Sequence, residues 1–176
     1  MMKSLIIRHL FVASLVSSLL LPSLAAAEEN AKPDDRPVIG IQQKKAIKVV
    51  FQITSGEMAG DVHKGLSVID GVYKKYIEEG VPPEEISIHA VIHGSAADHV
   101  LSDEAWNKHK GVTSGNPSRK LIESLATRGV HLELCDSRRV KNGWDKSEIH
   151  PNVALVSNAF HRYADLQFQG YAYIRE

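Results

Sequence analysis

The sequence predicts an α/β domain with a mostly parallel sheet, on two observations. Short runs rich in β-branched residues alternate with segments whose apolar residues recur every three or four positions, the periods of strand and helix. Glycine, serine and proline punctuate the joins, so each helix would carry the chain from one strand to the next. Right-handed crossovers would then cover both sheet faces with helices. The chain contains no internal repeat, no low-complexity tract and no sign of a second domain.

Residues 47–54 (IKVVFQIT) read as a first, buried strand. Residues 55–60 form a turn, and Asp61 stands where a helix N-cap is expected. Val62, Leu66, Ile69, Val72, Tyr73 and Tyr76 make one apolar helical face, Gly80 stops the helix, and Pro82-Pro83 prevents its continuation. Residues 86–93 alternate, with Ile86, Ile88, Ala90 and Ile92 facing one way and Ser87, His89, Val91 and His93 the other. Gly94-Ser95 ends this second strand. Residues 96–109 predict one or two short helices carrying Val100, Leu101 and Trp106, and 111–115 a loop. Asn116-Pro117 opens a helix with proline in its first turn; Leu121, Ile122 and Leu125 face inward and Gly129 ends it. Residues 130–135 are the third strand, which ends on Cys135, the only cysteine. Residues 137–146 are a short helix or loop. Residues 153–156 are the fourth strand, and Ser157-Asn158 caps a helix reaching about Gln167, with Ala159, Tyr163 and Leu166 inward. Residues 169–174 close the chain as a fifth strand.

The chain has 176 residues, 43% hydrophobic and 24% charged, with 21 basic and 21 acidic side chains. This composition suits one domain with a substantial core. The absence of a basic run or arginine stripe excludes nucleic acid as an expected partner. Residues 1–27 read as a secretory signal peptide. Lys3 and Arg8 precede an apolar stretch at 10–21, and Ala25-Ala26-Ala27 forms a cleavage site before Glu28. The apolar run is too short to span a bilayer and no second one follows, so no stable membrane insertion is expected after cleavage. The expected location is the periplasm or the exterior. Cleavage would remove Lys3 and Arg8 and leave a net charge of about −2. Residues 28–46, polar with Pro33 and Pro37, read as a flexible arm in which Val38-Ile39-Gly40-Ile41 is an edge strand or docking segment. Residues 47–176 are the folded domain. An exported chain with a single cysteine makes no internal disulfide.

Ligands of open parallel sheets bind beyond the carboxyl ends of the strands, near the point where strand order reverses. Those ends carry Ser55-Gly56, His93-Gly94, Cys135-Asp136 and Ser157-Asn158. If the strand order begins 2-1-3, Cys135 faces the Ser55-Gly56 turn and His93 lies one strand further out. Backbone N–H groups at a helix start, with Arg138 and Arg139, favour a thiolate at Cys135, whereas Asp136 opposes it. A buried core cysteine is the competing reading. His89 and His93 would lie about 13 Å apart along a strand, too far to chelate one metal together. A site from His93, His99 and Cys135 would need distant segments, so no metal ligands and no cofactor are assigned. Residues 54–56 with Gly60-Asp61 resemble a phosphate cradle only loosely, because Glu57 and Asp61 repel phosphate; a plain turn is the better reading. Serine, histidine and aspartate occur without a nucleophile-elbow motif.

Four stretches in order carry a family resemblance. They are Ile86-Ser87-Ile88-His89-Ala90-Val91-Ile92-His93-Gly94, Asn116-Pro117 with 121–125, Gly129-Val130 through Leu134-Cys135, and Ala164-Asp165-Leu166-Gln167 with Gln169-Gly170-Tyr171-Ala172-Tyr173-Ile174. From Lys48 onward the chain resembles the DsrE/DsrF-like sulfur-relay family, in particular its exported branch. The resemblance implies a flavodoxin-like three-layer sandwich with a mostly parallel five-stranded sheet, and homo-oligomers, often trimers or hexamers. It also implies that Cys135 carries a persulfide, taking sulfane sulfur from a donor protein or small sulfur compound and passing it on by thiol exchange. His93 and Ser55 would line the pocket and Arg138 would hold the charged form. Members usually follow the cysteine with a small, often Arg-Gly-containing segment; this chain has Asp136-Ser137-Arg138-Arg139-Val140-Lys141-Asn142-Gly143. Two other readings stand beside this one: a non-catalytic binding or assembly module with a buried structural cysteine, and a histidine-based periplasmic metal-binding protein.

Overall fold

The computed structural model describes residues 36–176, so the predicted signal peptide at 1–27 lies outside the described residues. Residues 39–41 form no strand. The end of the predicted arm is tied to the close of the first helix instead: the Ile41 N–H donates to Glu79 Oε2 at 2.6 Å and Lys44 Nζ to the Glu79 carbonyl at 2.5 Å.

Strand β1 (Ile47–Ile53) leads into a small hairpin, β2 (Met58–Ala59) with β3 (Val62–His63), and then into helix α1 (Lys64–Glu78). The hairpin displaces the expected cap. Gly60 turns at φ +61° with Asp61 beside it in the tip, and the helix is capped by His63, whose Nδ1 accepts the Leu66 N–H at 3.3 Å. Strand β4 (Ile86–Ile92) is followed by a 3-10 turn at Gly94–Val100 and helix α2 (Asp103–Lys110). Helix α3 (Arg119–Thr127) starts two residues beyond Pro117. Asn116 is occupied in the turn before it: its Oδ1 accepts the Ser118 N–H, and its Nδ2 donates to the His99 and Leu101 carbonyls. Strand β5 (His131–Cys135) runs directly into helix α4 (Asp136–Lys141). Strand β6 (Val153–Val156), helix α5 (Ala159–Phe168) and strand β7 (Ala172–Arg175) complete the chain. The last strand begins at Ala172 rather than 169 because Gln169 caps α5 and Gly170 reverses the chain at φ +89°.

The five long strands form one parallel sheet in the order β6-β5-β4-β1-β7. The expected start of the order, 2-1-3, is therefore wrong: β5 pairs with β4, not with β1. The steps β1→β4→β5→β6 all run one way along the sheet, so right-handed crossovers put their helices on one face. Only the return from β6 to the far side of β1 runs the other way, which leaves α5 on the second face. Side-chain alternation obeys this division. Val49, Phe51, Ile53, Ile88, Ala90, Ile92, Leu132 and Leu134 pack with Leu66, Ile69 and Tyr73 of α1 and with Ile122 and Leu125 of α3. Val50, Val91 and Cys135 pack with Ala159, Tyr163 and Leu166 of α5. The result is a three-layer α/β fold of flavodoxin-like type, thick on one side and thin on the other.

Candidate functional site

The four strand ends singled out above share the carboxyl edge of the sheet, in the spatial order Asn158, Cys135, His93, Ser55. His93 is therefore central, not peripheral. Cys135 and the Ser55-Gly56 turn are separated by the whole of β4, roughly 10 Å at strand spacing. The structure brings Cys135 to His93 and removes Ser55 and Gly56 from it.

Cys135 is the last residue of β5 and sits at the N-cap position of α4, 6% exposed. Its thiol makes no capping hydrogen bond, and it lies on the α5 side with Val91, Ala159 and Tyr163. Tyr163 spans this layer, its hydroxyl donating to the Val91 carbonyl at 2.9 Å. Burial pushes the Tyr163 phenol up, with further contributions from Tyr173 and Cys135. His93 lies with its ring centroid 5.6 Å from Phe160 and 6.3 Å from Tyr163. Gln52 Nε2 donates to His93 Nε2 at 3.2 Å, which leaves the neutral ring's proton on Nδ1. Burial, and then the Arg138 charge, lower the His93 pKa. Arg138 Nε is buried without a hydrogen-bond partner. Asp136 does not oppose the thiol as a free charge: Arg139 Nε donates to its Oδ1 at 2.6 Å, and that bond first of all holds the carboxyl low. Gly94 is required for approach, because at φ +64° a Cβ there would stand 2.7 Å from the Thr54 carbonyl oxygen.

Ser157 and Asn158 hold the neighbouring helices. The Ser157 carbonyl accepts from Ser137 Oγ at 3.0 Å, and Asn158 Oδ1 caps α5 by accepting from the Phe160 and His161 N–H groups. Both also line an open cleft of about 260 Å³ with Arg162 and Asp165. Ser55 lines a different cleft, of about 210 Å³, with His63, Lys64, Arg175 and Glu176. Gly56 lies beside it, its N–H bonded to Ser95 Oγ at 2.9 Å. That cleft sits where strand order actually reverses, between β1 and β7.

One polar group on the α5 face escaped the sequence reading. His89 Nδ1 donates to Glu133 Oε1 at 2.7 Å, and Arg162 donates to both Glu133 oxygens at 2.8 Å. Burial resists the Glu133 charge, but the hydrogen bonds from His89 and Arg162 prevail and hold its pKa at about 2. His131 stacks on His89 with centroids 4.3 Å apart. The available signal was a glutamate between two leucines on a strand of a parallel sheet, where both faces are normally apolar. Among the described residues no group of three or more His, Cys, Asp or Glu is placed to hold a metal ion. His99 in particular lies against His63, with centroids 4.7 Å apart.

Fold and edge together define a flavodoxin-like α/β protein with a cysteine at the carboxyl end of a central strand. No family profile matches the chain, and no curated protein matches it. Among solved structures it is similar to a protein of unknown function, MTH1491 of Methanobacterium thermoautotrophicum, at a TM-score of 0.53 and 19% identity. The match covers 74% of this chain and 99% of that one. At that identity the likeness establishes the fold.

Proposed function

We propose that the protein is an exported, DsrE-like sulfur carrier in which Cys135 takes up and releases sulfane sulfur. The observation that carries this reading is the placement of the sole thiol. It ends β5 beside the β4 terminus that bears His93, one helical turn before Arg138, whose Nε is buried and unpartnered. In loading, the Cys135 thiolate attacks the outer sulfur of a persulfide or polysulfide. A new S–S bond forms on Cys135 and the donor leaves as a thiolate one sulfur shorter. In unloading, an acceptor thiolate attacks the outer sulfur, that S–S bond breaks, and Cys135 is regenerated as the thiolate. Arg138 supplies positive charge to the anionic persulfide, and His93 stands at the end of the neighbouring strand.

Export rests on the leader pattern at 1–27. Self-association is supported by Phe160 and Phe168, 66% and 91% exposed on α5. Among the described residues no helix is long and apolar enough to cross a membrane.

The 6% exposure of Cys135 favours a second reading, a binding module in which the cysteine only packs. Alkylation of the native chain separates the two. A carrier thiol is modified far faster than the protein globally unfolds, through local opening of the α4 start. Modification no faster than global unfolding would overturn the carrier reading.

A further inference from the structure

Two buried histidines with no part in the Cys135 site stand behind the turn that follows β1. His63 Nε2 donates to the Ser55 carbonyl at 2.6 Å. The His99 ring packs against the His63 ring, with centroids 4.7 Å apart. His63 comes from the end of β3 and His99 from the 3-10 turn after β4, so a buried ring from a second element backs the one that grips this exposed turn. Neither ring has room for a second proton. His63 Nδ1 already accepts the Leu66 N–H, and a proton there would point N–H at N–H. His99 Nδ1 is buried with no partner, in a residue only 8% exposed.

We propose that His63 and His99 form an acid-sensitive latch: neutral, they hold residues 54–60 closed over the carboxyl edge of the sheet, and proton uptake by the pair releases the turn. The charges around the pair do not remove the conflict. Asp98, beside His99, favours its protonation but is itself paired with Lys110 from α2, which opposes it. Glu176, beyond β7, favours protonation of His63. Glu57 and Lys64 pair with each other at 3.0 Å across the mouth of the turn, and Arg175 lies beside Glu176 in the same cleft. Burial lowers both histidines, His99 to about 4, and each ring's charge would oppose the other's. Release would open the cleft between β1 and β7, whose wall includes Ser55, Glu57 and His63.

Hydrogen exchange of the full chain between pH 7.5 and 4.5, corrected for intrinsic rates, tests the latch. Below about pH 6.5, protection of residues 54–66 should fall up to about tenfold per pH unit for each proton taken up, while amides of β4 and β5 hold. The doubly substituted His63→Gln/His99→Gln chain should lose that pH dependence. Flat protection of the turn in the unsubstituted chain would overturn the proposal, as would an unchanged slope in the double variant. If the double variant does not fold, the imidazole signals of the unsubstituted chain decide. Rings that protonate only as the turn opens support the latch; rings that titrate near 6.5 with the turn still protected overturn it.

Discussion

Glu133 is 5% exposed in the middle of a parallel sheet, and it is tolerable there only because it accepts three hydrogen bonds from His89 and Arg162. Removing Arg162 strands a buried carboxylate, so Arg162→Leu should lose about 3–5 kcal/mol in urea denaturation at pH 7. The carboxyl's folded pKa, about 2, lies below its ordinary 4.5. Its contribution is therefore complete above about pH 4.5 and lost as pH falls toward 2, a difference of about 3 kcal/mol. Denaturation at pH 5 and at pH 2.5 should show most of that loss, and Glu133→Gln should flatten it. His89 and Glu133 could be placed on a common face from strand alternation alone. Arg162 could not, because its reach depends on which face α5 covers. The Asp136–Arg139 pair was hidden for a related reason: two neighbouring arginines compete for one carboxylate, and only the geometry of α4 decides between them.

Among the described residues helix α5 is the sole helix over its face of the sheet, so its ends matter more than those of α1. Asn158→Ala removes the side chain that accepts from Phe160 and His161, and should lower stability by about 1 kcal/mol. Thermal melts compared with the exposed-site control Gln167→Ala would check this. Gly94→Ala should be worse than a propensity effect alone, above about 1 kcal/mol, because its Cβ would meet the Thr54 carbonyl oxygen at 2.7 Å. The Asn158 cap was legible because Ser157-Asn158 precedes a helical apolar pattern. The α1 cap was not. Asp61 is the better capping residue by type, but the Met58–Ala59/Val62–His63 hairpin uses it in a turn and hands the cap to His63. Two-residue strands leave almost no periodic signature to read.

Across the whole molecule, strand identity was readable and strand order was not. Each of the five long strands shows its own apolar run, but pairing is a long-range choice among similar edges. The 2-1-3 start set β5 beside β1, and the observed order puts β4 between them. That one change splits the predicted site, leaving Cys135 with His93 and giving Ser55 to the cleft at β7. The same order leaves α5 as a thin outer layer bearing exposed Phe160 and Phe168. If a second copy covers them, Phe168→Asp should shift the sedimenting species of the chain from oligomer toward monomer; an unchanged species would place the contact elsewhere. Sulfur carriage by Cys135 is open to direct test. The test is the intact mass of the folded chain, made without residues 1–27, after incubation with inorganic polysulfide. Sulfur carriage at Cys135 predicts a gain of one or more sulfur atoms, lost on reduction and absent from Cys135→Ser. An unchanged mass, or the same gain in Cys135→Ser, would contradict it.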